Sequence, residues 1–158
     1  MLEQGVSLAS GVTLAGTVHV GAGAYLGGEV VYLLTNFGGR LYAFDVEDEL
    51  LRDLGSLFPD DEVAETEIAF VNGLILSKNE RKLYSLPCMF RGGGTPTLHE
   101  YDIETGQRSR LARFPSLNGG TVTGNAVIDD QGRLYFGYHA GTDEGQRAQL
   151  IQIYRKDP

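Results

Sequence analysis

The sequence predicts an all-β protein built from three similar units of about 50 residues, each a small four-stranded antiparallel sheet. Three observations carry this expectation. Tyrosines in like settings (Val31-Tyr32-Leu33, Leu83-Tyr84-Ser85 and Leu134-Tyr135-Phe136) recur at spacings of 52 and 51 residues. Around them the chain alternates, as Leu41, Ala43 and Asp45 do against Tyr42, Phe44 and Val46, with the period of two that belongs to strands. Glycine is abundant, 22 of 158 residues, roughly twice the usual ~7%. It sits beside Asn, Asp, Thr or Arg, where positive φ closes tight turns.

The first unit, 17–57, opens on an inner strand, Thr17-Val18-His19-Val20. It continues through Gly28–Leu34 and Gly39–Val46 and ends on Leu51–Leu57. The second, 66–114, has an inner strand Ile68–Leu76, a turn Lys78-Asn79-Glu80-Arg81 and a second strand Lys82–Leu86. A longer connection leads to Leu98–Ile103, the turn Glu104-Thr105-Gly106 and a fourth strand Gln107–Phe114. Arg108, Arg110 and Arg113 on that last strand suit an outer edge, where charge discourages further pairing. The third unit, 121–155, supplies three strands before Lys156-Asp157-Pro158. Residues 2–8 match the fourth-strand pattern of Leu51–Leu57 and are expected to serve as a closing strand.

Four strands in about 50 residues is the size of one β-propeller blade. Three blades do not close a ring, because propellers use four to eight. The expected assembly is therefore a homodimer completing one six-bladed propeller, residues 2–8 of one subunit closing the last blade of the other. A piece of a longer propeller and a different repeat-containing β-fold are the alternatives.

Composition narrows the function classes. Thirteen Lys and Arg against 21 Asp and Glu give a net charge of −8, which argues against nucleic acid as a partner, since that affinity comes from neutralising phosphates. No run of about 18 apolar residues is present, so no membrane partner is expected. The start, Met1-Leu2-Glu3-Gln4-Gly5, lacks a basic signal region, which leaves a cytoplasmic expectation by default. The one cysteine, Cys88, forbids an internal disulfide and reads as packing beside Met89 and Phe90.

Asn72-Gly73-Leu74-Ile75-Leu76-Ser77-Lys78-Asn79-Glu80-Arg81-Lys82-Leu83-Tyr84 resembles a blade segment of the senescence-marker-protein (regucalcin)/gluconolactonase family. Tyr101-Asp102-Ile103-Glu104-Thr105-Gly106-Gln107 is similar to its continuation, and Asn125–Tyr135 to the next blade. The likeness covers roughly residues 68–138. It implies a six-bladed propeller with a divalent metal in the central channel and lactonase- or esterase-type hydrolysis. It also implies that Asn72 stands where one metal ligand would, while the aspartate ligand of the next blade aligns with Gly124.

Candidate site residues fall on long connections expected to share one face: 9–16, 59–66, 87–96, 115–120 and 139–147. Arg91, flanked by Gly92-Gly93-Gly94, could reach an anion; Tyr138, His139, Asp143 and Glu144 combine an aromatic, a base and two carboxylates. His19 on the first inner strand, with Asn72 or Glu67, offers nitrogen and oxygen ligands for a divalent ion, calcium or zinc. Each residue also has a plain structural reading, as a solvated loop or a hydrogen-bonded histidine. No Gly-x-Ser-x-Gly, His-Glu-x-x-His or P-loop is present. The leading reading is a noncatalytic propeller-type protein binding a small molecule or protein on the long-loop face. A metal-dependent lactonase or esterase is the alternative.

Overall fold

The structure is a computed structural model that describes residues 20–24, 28–35, 39–59, 69–70, 73–79, 81–89, 95–117, 120–142 and 145–154. It is all-β. The strands are β1 (Val20–Ala24), β2 (Val30–Thr35), β3 (Arg40–Asp45), β4 (Leu50–Ser56), β5 (Ala69–Phe70), β6 (Ile75–Leu76), β7 (Lys82–Ser85) and β8 (Cys88–Met89). They continue with β9 (Thr97–Asp102), β10 (Arg108–Arg113), β11 (Gly120–Ile128), β12 (Leu134–Thr142) and β13 (Gly145–Ile153). Three antiparallel sheets run β1-β2-β3-β4, β6-β7-β9-β10 and β11-β12-β13, and β5 and β8 form a short pair. Among the described residues no helix is long and apolar enough to cross a membrane.

Alternation of apolar side chains decides how the sheets meet. From the middle sheet Leu74, Leu76, Leu83 and Tyr101 point one way, into a core shared with Tyr32, Leu34, Leu41, Ala43, Leu57 and Phe58. Ile75, Tyr84, Leu86 and Leu98 point the other way, into a second core with Val122, Leu134, Phe136, Tyr138 and Ile153. A sheet buried on both faces must be apolar at odd and even positions alike, so β7 reads Leu83-Tyr84 without a solvent-facing residue between them.

The turns follow from their residues. Asp45 Oδ1 accepts the backbone N–H groups of Glu47 and Asp48, closing the β3–β4 turn. Asp102 Oδ1 does the same for Thr105 in the β9–β10 turn, where Gly106 takes a φ of 70°. These are side-chain turns of the type short Asp residues favour.

Two expectations are corrected. The inner strand over 68–76 is two pieces, β5 and β6, facing β8 and β7 respectively. Pro87 lacks an N–H, so the ladder cannot run through it and β7 ends at Ser85 before β8 starts at Cys88. Opposite that break the Gly73 carbonyl is taken by the Ser85 hydroxyl at 2.6 Å. A Cβ on Gly73 would sit 3.2 Å from Phe136 and 3.3 Å from the Ala126 Cβ. The connection expected over 139–147 is instead mostly strand: β12 and β13 pair continuously from Leu134↔Ile153 to Thr142↔Gly145. Ladder cooperativity carries the hairpin through small and polar residues that carry no strand signal of their own. The segment 2–8, the strand 17–19 and the closing-strand exchange lie outside the described residues.

Gly39 supplies a test. Its φ is 55°, and a Cβ there would lie 2.3 Å from the Phe58 ring, which is fully buried in the first core. Gly39→Ala combines left-handed backbone strain with overpacking, each costing about 1–3 kcal/mol. Urea unfolding is expected to show a loss of at least about 2 kcal/mol, with an unchanged dependence on denaturant.

Candidate functional site

The best-defined polar constellation starts at the turn Asp129-Asp130-Gln131-Gly132-Arg133 between β11 and β12. Gly132 takes a φ of 76°, which lets the chain reverse within the turn. Asp129 then accepts backbone N–H groups from Gln131 at 2.9 Å and Arg133 at 3.0 Å. Its second oxygen accepts the Arg133 Nε–H and the Tyr135 hydroxyl at 2.9 Å. Burial pushes this carboxyl upward, but the combined donors from Arg133, Tyr135 and Gln131 outweigh it and hold the pKa at about 2. The Arg133 guanidinium is stabilised in its charged form by the Tyr154 hydroxyl first and then by Asp129. It lies 6.0 Å from the Tyr135 ring centre and 5.8 Å from that of Tyr154, within cation–π range. Gln152, opposite Tyr135 in the ladder, donates to its hydroxyl at 3.4 Å.

This cluster is preorganised: a planar cation is fixed by one carboxylate and flanked by two aromatic rings before anything binds. Sequence reasoning passed over it. The signal was present in Asp followed by Gly and Arg at a hairpin, but the side-chain convergence needs Tyr154, which is distant in sequence.

A second polar group lies inside the middle sheet. Glu100 is buried and accepts from Lys82 Nζ at 2.7 Å. His99 is also buried, its Nδ1 lying 3.1 Å from the Thr97 carbonyl oxygen. Its ring meets Phe58 edge-on at 5.0 Å between centres. These groups are paired within the protein: Lys82 and Glu100 bridge β7 and β9 of the middle sheet, and the His99–Phe58 contact reaches the first sheet.

Of the residues singled out from sequence, two are described. Tyr138 is buried in the second core, and its hydroxyl donates to the Leu117 carbonyl. His139 is half-buried on β12, opposite Thr121 of β11 and Ala148 of β13. His19, Glu67, Asn72, Arg91, Asp143 and Glu144 lie outside the described residues. Among the described residues no three His, Cys, Asp or Glu side chains gather to hold a metal ion.

No protein-family model and no curated protein matches this chain. Solved structures do share its fold. The major allergen Mala s 1 of Malassezia sympodialis superposes with a TM-score of 0.53 at 12% identity, over 84% of this chain and 48% of that one. A europium-containing methanol dehydrogenase gives 0.52 at 17% identity, over 87% of this chain and 24% of that one. A 6-phosphogluconolactonase-like protein from Bacteroides uniformis reaches 0.42 at 17% identity, over 80% and 37%. At these identities the first two likenesses show the all-β fold alone. The chain spans about half the length of the allergen and a quarter of the dehydrogenase.

Asp129 provides a pH test with a determined sign. Its carboxyl is lowered from 3.8 to about 2 in the folded protein, so its stabilising effect is complete above about pH 4 and is lost as pH falls toward 2. In Asp129→Asn the melting temperature should fall at neutral pH and change less between pH 4 and 2 than in the unmodified protein. Circular dichroism melts across that range measure both.

Proposed function

We propose that the chain is a propeller-type binding protein, its three sheets acting as blades and its long-connection face taking a small molecule or a protein ligand. One observation carries the blade reading: the same cross-strand partnership recurs in each sheet. Val31 faces Phe44, Leu83 faces Tyr101 and Leu134 faces Ile153. Sheets of common register stacked face to face, with the middle one buried on both sides, are what blades of a propeller require. The preorganised polar groups among the described residues are structural pairs.

Ligand contact is assigned to Arg91, His139, Asp143 and Glu144, with Tyr138 shaping the sheet end from within. The second reading, a metal-dependent lactonase or esterase, draws on the sequence likeness around Asn72. Calcium or zinc held by Asn72, His19 and Glu67 would be its cofactor.

Titration calorimetry with calcium, zinc and manganese, followed by a panel of lactones and aryl esters, separates the two. The expected outcome is no hydrolysis above background. A thermal-shift screen of small carboxylates and sugar acids should yield stabilising ligands whose effect is lost in Arg91→Ala or His139→Ala. Tight metal binding abolished by Asn72→Ala, together with ester or lactone turnover, would replace the binding reading with the hydrolase.

A further inference from the structure

Among the described residues, the third sheet has one face in the second core and the other bare. Leu134 and Phe136 point into the core, so the alternate residue Tyr135 belongs to the bare face. There Leu150, Tyr154 and Val127 are exposed at 70%, 67% and 57%. Large apolar side chains exposed together on one sheet face mark an interaction surface.

The register says what kind of surface it is. In the middle sheet Tyr84 and its cross-strand partner Glu100 are buried, and Lys82 pairs with Glu100 on the side that meets the third sheet. The corresponding positions of the third sheet are Tyr135, Gln152 and Arg133, one step before the matching strand. A cation, a tyrosine and a polar partner thus recur on the bare face in the arrangement that elsewhere lies inside a sheet–sheet junction. The first sheet carries the complementary half. Its Tyr32 and Leu34 enter the first core, which leaves Val31, Leu33, Tyr42 and Phe44 on its other face, all half-buried. Val31–Phe44 is the register equivalent of Leu83–Tyr101 and Leu134–Ile153, the pairs that receive the preceding sheet inside the stack. Charge agrees with this order. Arg133 sits at the end where β12 begins, and the exposed turn Glu47-Asp48-Glu49 at the equivalent end of the first sheet.

We propose that the bare face of the third sheet docks on the Val31–Phe44 face of the first sheet of a second copy, forming a two-fold pair with two identical junctions. This rests on the propeller reading above. The pair holds six sheets, within the range of closed rings, and a closed two-fold arrangement leaves neither face uncovered. Arg133, held between Tyr135 and Tyr154, is the expected hot spot, since Arg and Tyr dominate interface energetics.

Light scattering of the full chain should give twice the 17.2 kDa subunit mass. Leu150→Asp, at a site too exposed to disturb the subunit fold, should give 17.2 kDa with an unchanged strand spectrum by circular dichroism. Tyr42→Glu should do the same from the opposite face. An equal mixture of the two variants should regain a pair, because one of its two junctions is then unmodified on both sides. Single-subunit mass for the unmodified protein at micromolar concentration would overturn the second copy as occupant. A pair dissociated by Leu150→Asp but not by Tyr42→Glu would mean like-to-like docking. It would overturn this junction while leaving the blade reading of each subunit intact. A pair that complements as expected, yet has the elongated profile of an open stack in small-angle scattering, would overturn the ring and the propeller reading with it.

Discussion

Burial of the middle sheet on both faces is the constraint on which the rest of the structure depends. Leu83 and Tyr84 are consecutive, yet one closes the core against the first sheet and the other the core against the third. Remove either neighbour and that sheet exposes a full apolar face, at about 25 cal/mol for each Å² returned to water. The three sheets are thus held as a stack by the hydrophobic effect, and their hydrogen-bonded ladders set only the spacing within each layer. Polar residues enter the interior on the condition that they are paired. Lys82 with Glu100, and His99 with the Thr97 carbonyl and the Phe58 ring, meet that condition.

The same constraint explains where the functional surfaces can be. Faces between sheets are used up by packing, so chemistry is confined to sheet ends and to the outermost faces. The Asp129–Arg133–Tyr135–Tyr154 cluster lies on one such face and is stiffened by hydrogen bonds and cation–π contacts. Stiffening is costly in entropy unless the ordered groups make further contacts. A surface ordered in advance binds with a smaller entropic loss, which suits a junction with another sheet. The half-buried His139 lies on the same strand, nearer the opposite sheet end. One sheet therefore carries both the proposed docking face and the rim proposed for ligand.

Legibility in the sequence varied with the range of the interaction. Strand order, the turn Glu104-Thr105-Gly106 and the outer position of Arg108–Arg113 were readable because two-residue alternation and glycine turn chemistry are local. The break at Pro87 was equally local in cause, but its effect on the opposite strand shows only when Gly73 and Ser85 are brought together. The extension of β12 and β13 to Thr142 and Gly145 was not legible, because it comes from a ladder already running. For the candidate site, Tyr138 and His139 were singled out by residue type, and the Asp129–Arg133–Tyr135–Tyr154 cluster was not. Whether such a side chain faces a core or a rim depends on strand parity, which a boundary error of one residue reverses.

By itself the sequence determined an all-β chain with recurring tyrosines near 52-residue spacing, acidic overall and lacking the motifs of the common catalytic families. Those properties are sums or short patterns along the chain, and folding does not alter them. Only the tertiary structure decided that Tyr138 is a core residue bonded to Leu117 and that Arg133 is clasped by Asp129 between two tyrosine rings. It also decided that Leu150 and Val127 stand on an uncovered face. The physical reason is that burial is a property of pairs of sheets. A strand's alternation says which residues share a side, and only the neighbouring sheet says which side is inside.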